Sequence, residues 1–304
     1  MAGVLLCALL LCGCASPQMS GLENHWPQDL PQRSEIVDVP FYPQEDYECG
    51  PAALAMLLQA AGVGATPEQL LDQVYLPGRK GSLQVELLAA SRRHGLPAYL
   101  LQPRIEDLLR EVAAGNPVLV LQNLSLPIYP VWHYAVVIGY DREHKLLRLH
   151  SGRTPRLEMS LFTFERTWAR GGSWAMLALP PERLPVTAEP LAMLESLTAL
   201  ERVQPGQAGI GYATALQRWP TQRGLLLGAG NVAYAAGDLS KAELAYGAAV
   251  KAQPDFADAW NNLAQVLLEQ GKRPQARQAF NRAIQLGGQR LPKYLELKRR
   301  LETP

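Results

Sequence analysis

Cys49 is the one cysteine of this chain beyond its first fourteen residues. It sits in Gln44-Glu-Asp-Tyr-Glu-Cys-Gly-Pro-Ala-Ala-Leu-Ala-Met-Leu-Leu58, where a polar loop gives way to an apolar helix. The first N–H groups of a helix have no partner inside it and stabilise negative charge, which biases a thiol there toward the thiolate. A buried cysteine acting as a small hydrophobe is the alternative. Against it stand the polar Glu45, Asp46 and Glu48, and Gly50-Pro51, which supplies backbone room and then a residue suited to a first helical turn. A thiolate nucleophile needs a base, and only five histidines are available: His25, His94, His133, His144 and His150. His133 opens His-Tyr-Ala-Val-Val-Ile-Gly-Tyr-Asp141, a β-branched run that reads as a buried strand entering a turn. A base at the start of a rigid strand is held in a fixed place. His94 lies at a basic helix end and reads as a cap. His144 falls in a hairpin turn, and His25 in the N-terminal segment.

These residues in this order resemble the C39 family of papain-like cysteine peptidases over residues 34–182. Gly115-Asn-Pro-Val-Leu-Val-Leu121 is similar to the family's strand before the histidine. Ser160-Leu-Phe-Thr-Phe-Glu-Arg-Thr-Trp168 is similar to its helix before a last strand, Ser173 to Leu179. The resemblance implies an α+β papain-like domain with Cys49 as nucleophile and His133 as general base and later acid. It also implies that Gln44, with the Cys49 backbone N–H, donates to the oxyanion of the tetrahedral intermediate. Cleavage after small residues, typically Gly-Gly, belongs to the resemblance alone. The third member of the triad departs from the family pattern, which has Asp-Pro or Asn at the end of the next strand. Here that strand runs into His150-Ser151-Gly152. His150 or Ser151 is then the orienting residue, with Asp141 and Asn123 as candidates from neighbouring strands. Losing the orienting carboxylate costs a serine protease about 10⁴-fold, but a thiol is more acidic and more nucleophilic than a hydroxyl.

Met1 to Ser16 contains an apolar run too short to span a bilayer, which reads as a signal-peptide core over residues 1–13. Leu11-Cys12-Gly13-Cys14 looks like the lipobox of bacterial lipoproteins. Cys14 is therefore expected to be lipidated and to anchor the chain in the cell envelope, on the periplasmic face of the outer membrane. No Lys or Arg precedes the apolar run, and a true start further upstream would account for that. Residues 14–33 are expected to be a flexible tether. Processing would leave Cys49 as the sole free thiol of the mature chain, for which catalysis is the natural explanation.

The 304 residues are 48% apolar with net charge +1, enough for two ordinary domains and without an electrostatic footprint for nucleic acid. No Gly-rich phosphate loop, dinucleotide fingerprint or metal-ligand spacing is present, so no cofactor and no metal are expected. The proline-rich Leu179-Pro-Pro-Glu-Arg-Leu-Pro185 leads into a linker at 183–188, after which comes an alanine-, leucine- and glutamine-rich stretch from 189 to 304. There Gly237, Ala242, Tyr246, Ala249 and Pro254 recur 34 residues later as Gly271, Ala276, Phe280, Ala283 and Gly288. Ala208, Tyr212, Ala215 and Pro220 fit one step upstream. This is the period of tetratricopeptide repeats, so the region is expected to form about three helix pairs and a capping helix at 291–302. Such repeats present a concave face to a protein partner.

The expected function is a lipid-anchored, periplasm-facing cysteine peptidase acting on a peptide or protein precursor, its repeats recruiting substrate or partner. The alternative is an inactive C39-like lipoprotein that grips a peptide or serves assembly. A third reading keeps the Cys–His chemistry and transfers the acyl group to an amine.

Overall fold

A computed structural model describes residues 16–44 and 48–302. The expected signal peptide, Cys14 and the acidic pair Glu45-Asp46 lie outside the described residues. The chain divides into two compact units, the first ending near Pro180 and taking in Pro185–Ala188, the second comprising Pro181–Leu184 and Glu189 onward.

The first unit is built around an antiparallel sheet. In chain order its elements are α1 (Pro17–Asn24), β1 (Arg33–Glu35), α2 (Cys49–Ala60), α3 (Pro67–Val74), β2 (Tyr75–Leu76), β3 (Gly81–Ser82), α4 (Gln84–Arg93), β4 (Ala98–Leu100) and α5 (Ile105–Ala113). There follow β5 (Val118–Asn123), β6 (Trp132–Asp141), β7 (Leu146–Ser151), β8 (Thr154–Ser160), α6 (Leu161–Arg170) and β9 (Ala175–Ala178). The strand order is β4-β9-β5-β6-β7-β8, and β1 pairs with the far end of β6. The β2–β3 hairpin stands apart.

Two sequence features explain the centre of this unit. Ala52 to Leu58 of α2 are each at most 1% exposed, because a helix that is apolar all round has no face to give to water. It packs against Tyr134, Val136 and Ile138, alternate residues of β6, and against Leu119 and Leu121 of β5. Gly50, in the first turn of α2, is required by packing: a Cβ there would lie 2.2 Å from Ser82 Oγ. The β2–β3 hairpin can therefore press directly on the helix start. On α6, Phe164 and Trp168 are fully buried with stacked rings, and the Trp168 indole donates to Trp174 O at 2.9 Å.

The N-terminal segment departs from the flexible tether expected for residues 14–33. From Ser16 onward it is docked on α5 and α6. Met19 and Leu22 of α1 are buried, and the Glu165 carboxylate, itself 3% exposed, accepts the N–H groups of Gln18 and Met19 at 3.0 and 2.9 Å. Ser16 Oγ donates to Phe162 O, and the Gln18 side chain bridges Pro103 O and Ile105 N. The physical reason is a buried carboxylate placed where four free helix N–H groups need an acceptor. At the other end of the unit Thr187, within the stretch expected as linker, donates its N–H and hydroxyl to buried Glu111.

The second unit is a run of antiparallel helices: α7 (Pro190–Glu201), α8 (Pro205–Arg218), α9 (Arg223–Ala235), α10 (Leu239–Ala252), α11 (Ala257–Glu269), α12 (Arg273–Leu286) and α13 (Leu291–Glu302). The 34-residue repeat is visible in its chemistry. Ala242, Ala249, Ala276 and Ala283 are fully buried where helices meet, and Tyr212, Tyr246 and Phe280 fill the spaces beside them. Gly237 and Gly271, one period apart, take φ of 76° and 77° in the turn between the helices of a pair, a conformation glycine adopts without a Cβ penalty.

Candidate active site

A cleft of about 900 Å³ opens in the first unit, lined among others by Gln44, Cys49, Ser82, Trp132, His133, Tyr134, Gly152 and Gly171. Three of its residues were expected from the sequence: Gln44, Cys49 and His133. Cys49 is the first residue of α2, its side chain half-buried. His133 is the second residue of β6, paired with Gln122 across β5.

His133 Nε2 lies 2.8 Å from Ser151 Oγ at the end of β7. This leaves Nδ1 without a hydrogen bond among the described residues, so a neutral imidazole protonated on Nε2 presents the Nδ1 lone pair as its base. Of the two adjacent candidates for the orienting role, Ser151 is at the base and His150 is not. His150 is buried, with Nε2 3.1 Å from Val39 O and Nδ1 accepting the Arg156 N–H at 3.2 Å. The strand alternation that sends Ser151 one way sends its neighbour the other. Asp141 and Asn123 are equally occupied: Asp141 takes the N–H and ring of His144, and Asn123 Oδ1 takes the N–H groups of Ser125 and Val131.

Gln44 is buried, and its amide is oriented by two contacts. Oε1 accepts the Gly152 N–H at 3.1 Å, and Nε2 reaches Tyr134 O at 3.4 Å. The backbone adds a third, Gln44 N–H to Gly152 O at 3.0 Å. An amide nitrogen carries two hydrogens, so one remains for a group bound in the cleft.

The electrostatics correct one expectation. Burial pushes the Cys49 thiol above its usual value; the backbone N–H groups of Tyr134, Gly50 and Cys49 itself pull it only partly back. The helix start was expected to favour thiolate, but α2 lies so deep that the loss of hydration outweighs those N–H groups. Burial also lowers His133. Burial thus favours the neutral form of both groups. His94 is likewise held below its usual value, by burial and by Arg93.

Several lining groups carried no recognised signal in the sequence. Ser82 Oγ is buried beside the helix start with no hydrogen-bond partner among the described residues. Its β-hairpin is only two residues per strand, below the length at which alternation is readable. The Tyr134 N–H, which faces the thiol, was findable only as the neighbour of His133.

A model of the Peptidase C39-like family matches residues 36–173, and a tetratricopeptide-repeat model matches residues 227–290. The chain is similar to a solved structure from Bacillus anthracis described as a C39-like peptidase, at 20% identity and TM-score 0.42, over 49% of this chain and 98% of that one. It is also similar to the first tetratricopeptide-repeat domain of Spaghetti (RPAP3), solved with an HSP90 peptide, at 15% identity and TM-score 0.32, over 36% of this chain and 91% of that one. A search of curated protein sequences gives no match.

Proposed function

We propose that this chain, whose residues 36–173 form a C39-like peptidase domain and whose residues 227–290 are tetratricopeptide repeats, is a cysteine peptidase. The observation that carries the reading is one cleft that gathers Cys49, His133 and Gln44, with the far nitrogen of His133 held by Ser151.

The chemistry starts from neutral partners. As the Cys49 sulfur bonds to the scissile carbonyl carbon, its proton passes to His133 Nδ1, and the two desolvated groups acquire opposite charges that offset one another. The oxyanion takes the free Gln44 N–H and the Cys49 N–H, each such donor typically worth about 3 to 4 kcal/mol. Collapse breaks the C–N bond, and the imidazolium gives its proton to the leaving amine. Water, deprotonated by His133, then cleaves the thioester and the proton returns to sulfur.

Gly-Gly specificity, lipid anchoring through Cys14 and residence on the periplasmic face of the outer membrane belong to this proposal, as does recruitment of substrate or partner by the repeats. They are supported by the resemblance of the motifs and by the lipobox-like Leu11 to Cys14. A second reading, a peptide-binding lipoprotein without turnover, is favoured by one observation: Ser151 is neutral and stabilises an imidazolium less than the carboxylate it replaces. The discriminating experiment exposes a peptide library to the chain from residue 15 onward and reads products by mass. Cleavage lost in Cys49→Ala and His133→Ala supports the peptidase. Binding without any cleavage, or cleavage that survives Cys49→Ala, overturns it.

A further inference from the structure

The loop between β5 and β6 is unusual for a surface. Leu124, Leu126, Ile128, Tyr129, Val131 and Trp132 are 43%, 61%, 75%, 75%, 54% and 55% exposed. No Asp, Glu, Lys or Arg occurs from Leu121 to Tyr140. Apolar side chains concentrated this way on a water-facing surface mark an interaction site. The loop is also built, not slack. Asn123 Oδ1 accepts the N–H groups of Ser125 and Val131, both at 3.0 Å. Leu124 N–H reaches Val131 O at 2.9 Å, and Tyr129 N–H reaches Leu126 O at 3.1 Å. With Pro127 and Pro130 lacking N–H groups, much of the backbone's hydrogen bonding is satisfied internally while the side chains point outward.

We propose that this loop inserts into the head-group region of a lipid bilayer. Three observations select that partner. A hairpin tip carrying aliphatic residues with Tyr and Trp, and internally satisfied backbone, has the composition of an interfacial anchor. Leu126, Ile128 and Tyr129, among the most exposed residues of the loop, are not part of the cleft lining, so a peptide lying in the cleft leaves them uncovered. The third is the chain's point of entry. Ser16 is docked against Phe162 near the start of α6, while Arg170 at its end donates Nε to Asn123 O at the base of the loop. Eight residues of helix separate the two points by about 12 Å. The last of these rests on the proposed anchoring through Cys14: an attachment upstream of Ser16 and an inserting loop at the other end of one helix fit a single bilayer surface, with Arg170 at head-group level. Trp132 and Val131 also line the cleft, so its mouth then opens beside the lipid.

The test needs neither catalysis nor an acyl chain. The chain from residue 15 onward is mixed with vesicles of phosphatidylethanolamine and phosphatidylglycerol, and association is read by sedimentation. Trp132 emission, isolated by difference from Trp132→Phe, is read for a blue shift and for quenching by brominated acyl chains. The double variant Ile128→Asp/Tyr129→Asp changes two side chains that face water, so the fold is retained, as circular dichroism will check. Association is expected to fall about tenfold or more, as loss of one buried large side chain already predicts. No association of the parent chain, or equal association of the double variant, overturns the proposal. So does a raised KM for a cleaved peptide without vesicle association, which assigns the loop to substrate instead.

Discussion

A thiol and an imidazole, each half-buried at the start of its element, are the smallest unit on which the chemistry depends, and their neighbours make testable differences. Ser151 acts by holding Nε2 of His133, so Ser151→Ala is expected to lower kcat by about 10- to 100-fold with KM nearly unchanged, because a misoriented base hurts the transition state and not binding. Steady-state kinetics on any cleaved peptide checks this. Gln44→Ala should cost about 10²- to 10³-fold in kcat, the usual loss for one oxyanion donor. The same burial fixes a pH dependence. His133 and His150 are held by burial below the ordinary histidine value of about 6.5, so below that pH the unfolded chain binds protons that the fold resists. Stability of the first unit should therefore fall as pH drops through 6.5 and level off once the folded histidines also charge. Urea titrations across that window measure it, with a smaller slope expected in His150→Gln. Cys49 and His133 were legible because residue type and context are themselves chemical statements. The choice of Ser151 over His150 was not, because it depends on strand register, which shifts between Leu149 and Ser151 where β7 pairs with β8.

At the level of elements, one helix does most of the positioning. α2 carries the nucleophile at one end and is buried throughout, so Leu54→Ala should destabilise the unit by about 2 to 5 kcal/mol, measured by denaturant unfolding. Gly50→Ala should act differently, displacing Ser82 and the hairpin wall of the cleft before it unfolds anything. The buried helix and the histidine strand were readable as apolar runs, and α6 through the resemblance of Ser160 to Trp168 to the family's helix. α1 was not: eight residues with modest amphipathicity look like tether until the buried Glu165 carboxylate that receives its first N–H groups is in place. The partner lies about 146 residues away in the chain, beyond any local pattern.

For the molecule as a whole, two compact units divide near Pro180, one sheet-based and one a helical repeat. The repeat was legible at once, since a fixed period of small and large residues has few other physical causes. What the concave face holds was not, because recognition depends on side chains that vary freely within the period. The account stands or falls on whether Cys49 is activated by His133. The most direct measurement is the rate of Cys49 alkylation by iodoacetamide between pH 6 and 10, in the chain from residue 15 onward and in His133→Ala. With His133 Nδ1 accepting the proton, the parent chain should react about tenfold or more faster than the variant near neutral pH. The variant should react appreciably only as the thiol itself ionises, above the usual thiol range. Equal rates and equal pH profiles in the two proteins would show a buried cysteine without a base and contradict the account.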